Sequence, residues 1–461
     1  MPSHLLTQWE PENPSFWETT GKRVASRNLW ISIPALLLAF CVWMVWSVVV
    51  VNLPNIGFKF TTNQLFWLAA IPGLSGATLR IFYSFMVPIF GGRLWTTLST
   101  ASLAIPALWM GFAVQNPATP YPTFLVIALL CGFGGGNFAS SMANISFFYP
   151  KAQQGTALGL NAGLGNLGVS VVQFTVPIVI TMAVFGAMGG EPQSWMKGDA
   201  TKQMWLQNAG FFWVPFIIAV SIAAWFGMND LHTAKASFAD QSVIFRRRHN
   251  WLMCWLYVGT FGSFIGYSAG FPLLIKTQFS GVDPTQYAFL GPMVGALIRP
   301  VGGWVSDKLG GARVTFWNFI VMALAVGGVL WFLPSGPSGG DFWGFFAMFM
   351  LLFLTTGIGN GSTFRMIPVI FRTLHERWSA GASDSARAES MRNAGKESAA
   401  VLGFSSAVAA YGAFFIPKSY GTSISLFGGP EAALYVFIAF YITCILVTWW
   451  FYSRRNAEMP C

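Results

Sequence analysis

Charge is what this 461-residue chain has least of. Asp, Glu, Lys and Arg together make up 9% of it, against roughly 25% in a soluble globular protein. That excludes a water-exposed globular surface over most of its length. Acid is scarcer still: all 16 Asp and Glu lie in loops or at the ends of apolar runs, and His4, His232, His249 and His375 lie outside those runs. Proton-coupled carriers commonly use an intramembrane Asp, Glu or His, and no such side chain is available here. The five cysteines (Cys41, Cys131, Cys254, Cys444, Cys461) have no metal or redox spacing and read as small buried hydrophobes. No nucleophile–base pair and no metal-ligand set stands in or near the apolar runs. An enzyme, a cofactor and a bound metal are therefore not expected.

What is present is apolar mass: 54% hydrophobic residues, with 21 Trp, 44 Phe and 49 Gly. The chain reads as an all-α polytopic membrane protein. Twelve transmembrane helices are expected at 30–53, 62–90, 94–114, 121–149, 155–186, 207–228, 251–276, 284–306, 314–334, 342–371, 398–418 and 430–453. The first run is long and follows 29 fairly polar residues, so it is a retained span rather than a cleaved signal. A net charge of +10 would point to nucleic acid in a soluble protein, but here the distribution reports topology. Starting inside, the cytoplasmic segments hold 18 Lys and Arg. The outer loops hold five, Lys59, Lys197, Lys202, Lys276 and Lys418. That asymmetry places both termini in the cytoplasm, with the lipid bilayer as the partner and no nucleic acid.

The organisation is two pseudo-symmetric halves. Residues 1–29 form a cytoplasmic segment, 30–228 a first six-helix bundle, 229–250 a cytoplasmic linker, 251–453 a second bundle and 454–461 a tail. The linker's Arg246, Arg247 and Arg248 read as a topology anchor on anionic lipid. Arg80 and Arg299 occupy matching places, 219 residues apart, each followed at the same distance by a Gly-Gly pair (Gly91-Gly92, Gly310-Gly311). Gly159 and Gly168 answer Gly403 and Gly412, and Gly136-Asn137 answers Gly359-Asn360. Such repeats are the expectation for a major-facilitator transporter, with its site near the midplane between the halves. Near the N-terminus, Ser15-x-x-Glu18 matches a capping box for an interfacial helix. The 372–397 stretch reads as a mobile or helical connection.

Arg80 and Arg299 carry most of the functional information. A charge at bilayer depth costs about 2.5–3.5 kcal/mol even on the lenient insertion scale. No acid in a span can neutralise either one. Each could bond carbonyls freed by nearby Gly and Pro, but two independent repairs at matching positions are less economical than one shared site. Guanidinium forks suit a planar oxyanion better than the point charge of lysine. Arg365 lies toward the inner end of its span. Snorkelling to the cytoplasm is favoured there over a place in an anion-attracting vestibule.

Other residues support that reading. Gly155, Gly159, Gly163, Gly165 and Gly168 line the fifth span, where small residues permit close helix packing and bending. Asn166, among them, is a neutral donor suited to an oxyanion and equally to an ordinary helix–helix bond. The seventh span offers Tyr257, Phe261, Phe264 and Tyr267, of which a phenol near the arginines would donate to an anion and the Phe rings would seal a cavity. After the eighth span, GGWVSDKLGGARVT holds Asp307 and Arg313 as a cytoplasmic latch; the first half has Pro88 where the second has Asp307.

The stretches FYSFMVPIFGGR, NFASSMANISFF, ALGLNAGLGNLGVSV, GMNDL, TFGSFIGYSAGF and GFSSAVAAYGAFFIP resemble the nitrate/nitrite porter family of the major facilitator superfamily over nearly the whole chain. The resemblance implies exchange or uptake of nitrate and nitrite across a bacterial inner membrane, in nitrate respiration or assimilation. It also implies that Arg80 and Arg299 are the paired binding arginines, with Tyr257, Asn166, Phe138 and Phe261 as further site residues. The chain departs from the family pattern at Ala162, at Ala409, Tyr411 and Ala413, and at Arg365. The expected protein is a monomeric nitrate/nitrite antiporter. Its alternatives are a nitrate–proton symporter and, more distantly, an anion sensor or channel on a carrier fold.

Overall fold

The structure is a computed structural model, and it describes residues 4–232 and 242–461. Helices α1 Pro14–Ile56, α2 Thr62–Tyr83, α4 Tyr121–Phe148, α5 Lys151–Val179, α6 Asn208–Gly227, α7 Arg248–Gln278, α8 Pro284–Leu309, α9 Gly311–Phe332, α10 Phe342–Trp378, α11 Asp384–Phe427 and α12 Glu431–Ser453 are each long and apolar enough to cross a membrane. The third span, α3, is a broken helix, Gly92–Ala101 followed by Ala104–Ala113. Pro106 explains the break: without an N–H it cannot bond the carbonyl of Ser102, and its ring crowds that carbonyl.

The first helix starts well before residue 30, and its cap is not the expected box. The Asn13 side chain accepts from the amides of Ser15 (3.1 Å) and Phe16 (3.4 Å), and Pro14 takes the first helical position, where no N–H is needed. The reciprocal box occurs at α2, between Thr61 and Gln64 (3.2 and 2.9 Å). The 372–397 stretch is helical apart from a short turn between α10 and α11. Two of the linker arginines, expected as lipid anchors, have protein partners: Arg247 grips Glu397 with two bonds (2.8 and 2.7 Å), and Arg248 pairs with Glu458 (3.3 Å). Four short strands occur among the described residues. Strands β1 Leu5–Leu6 and β4 Asp230–Leu231 pair in parallel, and β2 Gln193–Lys197 and β3 Ala200–Met204 form a hairpin between α5 and α6.

The half-to-half repeat survives in the backbone. Gly91 and Gly310 both turn with positive φ, 87° and 88°, a region open to glycine and strained for other residues. Behind each, the next helix's amide is capped by the segment that ends its own half. The Arg93 N–H donates to Asp230 (2.8 Å), and the Ala312 N–H to the Cys461 carbonyl (2.9 Å).

Within the halves, α2 packs on α4, α1 on α5, and α8 and α9 on α10; between them, α2 meets α11, α5 meets α8 and α1 meets α7. The two halves touch at one end of the molecule and part at the other. On α5, Ser170 donates to the Phe289 carbonyl of the second half (3.0 Å), and Gln173 to that of Ser268 (2.8 Å). Gly159 and Gly163 lie on the same face of α5 as Ser170, three and two turns nearer the chain termini. A side chain built on Gly155, Gly159 or Gly163 would meet nothing within 4 Å, and the same holds for Gly403 on α11. The gap between the halves therefore opens on the end that carries the chain termini.

Candidate functional site

Arg80 is fully buried, and close approach of two helices puts it there. At the crossing of α2 and α4, a Cβ on Gly135 would fall 2.7 Å from the Cα of Gly76. Only glycines allow that spacing, and it brings the Gly135 carbonyl within 3.0 Å of Arg80 Nε. Nη1 of the same guanidinium crosses to the second half and donates to the backbone (3.2 Å) and hydroxyl (2.9 Å) oxygens of Ser406. Nη2 has no partner. The group lies over three rings, at 4.6 Å from Phe138, 5.3 Å from Trp43 and 5.5 Å from Phe261.

Arg299 approaches from α8. It is 9% exposed, donates from Nη2 to the Tyr257 hydroxyl at 3.1 Å, lies 5.2 Å from the Phe364 ring and leaves Nη1 unpartnered. Tyr257 and Phe261 stack at 5.6 Å, and Phe261 stacks on Phe138 at 6.4 Å with 28° between the planes. A π-helical turn in α7, Val258–Gly262, separates Tyr257 from the next α-helical stretch. Such turns are frequent at functional sites. The two guanidiniums are thus joined through one aromatic column, each with a spare N–H-bearing nitrogen. No carboxylate pairs with either among the described residues.

The remaining sequence candidates divide. Asn166 is buried with an unpartnered Oδ1, but no hydrogen bond or ring contact joins it to either arginine. Asn137 and Asn360, which answer each other across the halves, are also buried with unpartnered Oδ1 atoms. Phe264 extends the column beyond Phe261 (6.3 Å). Tyr267 leaves it for a buried hydroxyl chain with Tyr441 (2.6 Å) and Ser263. Among the glycines, Gly165 and Gly168 press on α1, and Gly412 presses on Gly262 of α7, where a Cβ would meet the Gly262 oxygen at 2.2 Å. Gly155, Gly159, Gly163 and Gly403 face open space instead.

The latch also differs from expectation. Asp307 accepts from Arg365, and both side chains are about half exposed. Arg365 is therefore neither a bare snorkelling cation nor a third free charge in the vestibule. Arg313 makes no ion pair among the described residues and borders an apolar groove of about 310 Å³ that includes Leu309, Trp317 and Ile358. The sequence reading also missed Ser406, Phe364, Trp43 and the Gly135 carbonyl. Their only signals were a Ser-Ser pair in GFSSAVAAYG and aromatics no different from the chain's many others.

Comparisons with known proteins agree with this architecture. The family model described as Major Facilitator Superfamily matches residues 35–386. The chain is 56% identical to the nitrate/nitrite transporter NarU of Salmonella typhimurium over 459 residues, 99% of this chain and 97% of that protein. It is 43% identical to the probable nitrate/nitrite antiporter NarK2 of Thermus thermophilus over 462 residues, 99% and 98% of the two chains. Among solved structures, the nucleoside transporter NupG superposes with a TM-score of 0.57 at 10% identity, covering 91% of this chain and 98% of that one. A bacterial homolog of the human lysosomal transporter Spinster, inward-facing and occupied, gives 0.59 at 13%, covering 92% and 96%. These two similarities speak for the fold alone.

Proposed function

Given that the chain belongs to the Major Facilitator Superfamily as one of its nitrate/nitrite porters, we propose that it exchanges nitrate for nitrite by alternating access, with Arg80 and Arg299 as the anion clamp. It is a multi-pass protein of the bacterial inner membrane and a carrier rather than an enzyme. The observation that carries the proposal is the pair of buried guanidiniums, one from each half, each with an unpartnered Nη aimed at no carboxylate. A planar monoanion is the natural counterion, and the facing rings of Phe138 and Phe261 would have to part slightly to take a flat guest between them.

We take 30–228 and 251–453 as the moving bodies and place both termini, the linker and the tail in the cytoplasm, because basic residues concentrate at that end. On this orientation the structure is inward-facing. The stripe Gly155, Gly159 and Gly163, with Gly403 opposite, is then the surface that closes when the carrier turns outward. Gly165, Gly168 and Gly412 hold the helices that turn. In this reading Asn166, one turn from Ser170 on α5, reaches the anion only as the halves rock. Asp307 with Arg365 staples the inner end of the second half, and Arg313 serves the lipid boundary. A monomer suffices, since both arginines come from one chain.

Exchange follows from the charges. Two unneutralised guanidiniums repel each other and resist closure of an empty site, whereas a bound monoanion reduces that repulsion and bridges the halves. Only the loaded carrier then crosses readily. Counterflow in proteoliposomes at fixed pH and voltage tests this. Nitrate uptake should require internal nitrite or nitrate. Uptake driven by a pH gradient with no internal anion would overturn exchange in favour of proton symport.

A further inference from the structure

Every ion pair among the described residues lies inside one half, counting Arg247 with α7 and Asp230 with α6. At the closed end of the molecule the halves are joined in another way, by three lysines. Lys276 of α7 donates to the Val51 carbonyl and to Asn55 Oδ1 (2.7 Å), both at the end of α1. Lys197 of β2 reaches the Ser280 carbonyl in the second half (2.8 Å). Lys418 of α11 sits 4.8 Å from the Trp67 ring of α2. Asn55 also donates to the Met196 carbonyl (2.8 Å), tying the hairpin into the same seam.

The acceptors matter more than the donors. Each is a neutral oxygen or a ring face, so none of the three charges is cancelled by the bond that holds it. A lysine–carboxylate seam would hold more firmly, but on opening it would leave acids at the mouth that repel an arriving anion. This seam opens to leave three ammoniums whose bonding partners are all neutral, with one carboxylate, Asp283, near Lys276. Concentrated positive charge at a mouth raises the encounter rate of anions. A strongly hydrated, flexible ammonium captures without the forked grip that a guanidinium provides, and so releases its guest inward.

We propose that Lys276, Lys197 and Lys418 form an external capture site for small monovalent anions, masked as a latch while this end is closed and exposed when it opens. The proposal rests on the exchange reading and on its orientation. Under it, lysines collect the anion and the deeper arginines hold it.

The test measures nitrate/nitrite counterflow from each face, using right-side-out and inside-out membrane vesicles, for the unmodified protein and Lys276→Gln. We expect the outer KM for nitrate to rise three- to tenfold and its dependence on salt to flatten, with a smaller change in the inner KM and Lys276→Arg restoring the outer value. A latch without capture predicts the opposite sign, because loosening the closed end populates the outward-open form and lowers the outer KM. An outer KM that falls, stays the same, or rises equally at both faces overturns the proposal. Should Lys276→Gln fail to reach the membrane, the double variant Lys197→Gln/Lys418→Gln carries the same expectation, and an unaltered outer KM there rejects it. Absence of counterflow in the unmodified protein would instead defeat the exchange reading itself.

Discussion

Arg80, in the first half, donates from a single Nη1 to both oxygens of Ser406, in the second, at 3.2 and 2.9 Å. The proposed binding cation is therefore also a bond between the two halves. Under the proposed rocking that bond breaks, and a guest anion can take over the freed N–H groups. Ser406→Ala removes the hydroxyl and leaves the carbonyl. A hydrogen bond to a charged group is worth roughly 1.5–3 kcal/mol, so the variant should shift the balance toward the outward form by roughly ten- to a hundredfold. The measurement is the labelling rate of a cysteine placed at position 163, which should fall if the gap beside Gly163 closes.

That measurement has a low background. Cys41, Cys131, Cys254 and Cys444 are buried. Outside the spans, burial pushes the Cys461 thiol up to about 12, and the thiolate is the reactive form. The unmodified protein should take up little water-soluble maleimide at neutral pH, whereas Gly163→Cys should label. Rapid labelling of the unmodified chain would contradict either the burial of the four span thiols or the raised pKa of the partly buried Cys461.

Arg80→Lys and Arg299→Lys should each preserve the fold and lose most transport. Lysine keeps the charge but offers a point instead of a fork, and at position 80 it cannot serve Gly135, Ser406 and a guest at once. Detergent-solubilised variants should keep a single sharp size-exclusion peak while counterflow drops at least tenfold. Normal exchange in either one would remove the clamp from the mechanism.

The glycines should separate by position. Gly159→Leu places its side chain in the open gap, so thermal stability should be unchanged while exchange stops, because the inner end can no longer close. Gly412→Leu drives a side chain into the Gly262 backbone, and overpacking of that kind costs about 1–3 kcal/mol or more. It should lower the melting temperature or abolish expression. Thermal shift together with counterflow distinguishes the two, and equal behaviour would mean that the gap is not a working surface.

Asp307→Asn breaks the Arg365 pair. Because both partners are about half exposed, the loss should be no more than about 1 kcal/mol. Melting should be almost unaffected, and the charge-swapped double variant Asp307→Arg/Arg365→Asp should match the unmodified protein. A large loss of stability in the single variant would assign Asp307 partners other than Arg365.

Long apolar runs, the absence of intramembrane acid and the matched Arg80 and Arg299 were legible from the chain alone. These follow from composition and spacing, because a bilayer admits few ways to satisfy a backbone and fewer reasons to keep a charge. Local exceptions were harder to read. Pro106 breaks α3, and Asn13 takes the cap from Ser15, since a single side chain decides each. Tertiary structure alone determined which partners meet: Ser406 with Arg80, Arg365 with Asp307, and three lysines with neutral oxygens or a ring across the closed end. It also divided one glycine stripe into residues pressed against neighbours and residues facing a gap. The contacts between halves depend on how the two are tilted against each other, and the Arg365–Asp307 pair on how α8 packs on α10; both relate residues far apart in the chain that no local pattern encodes.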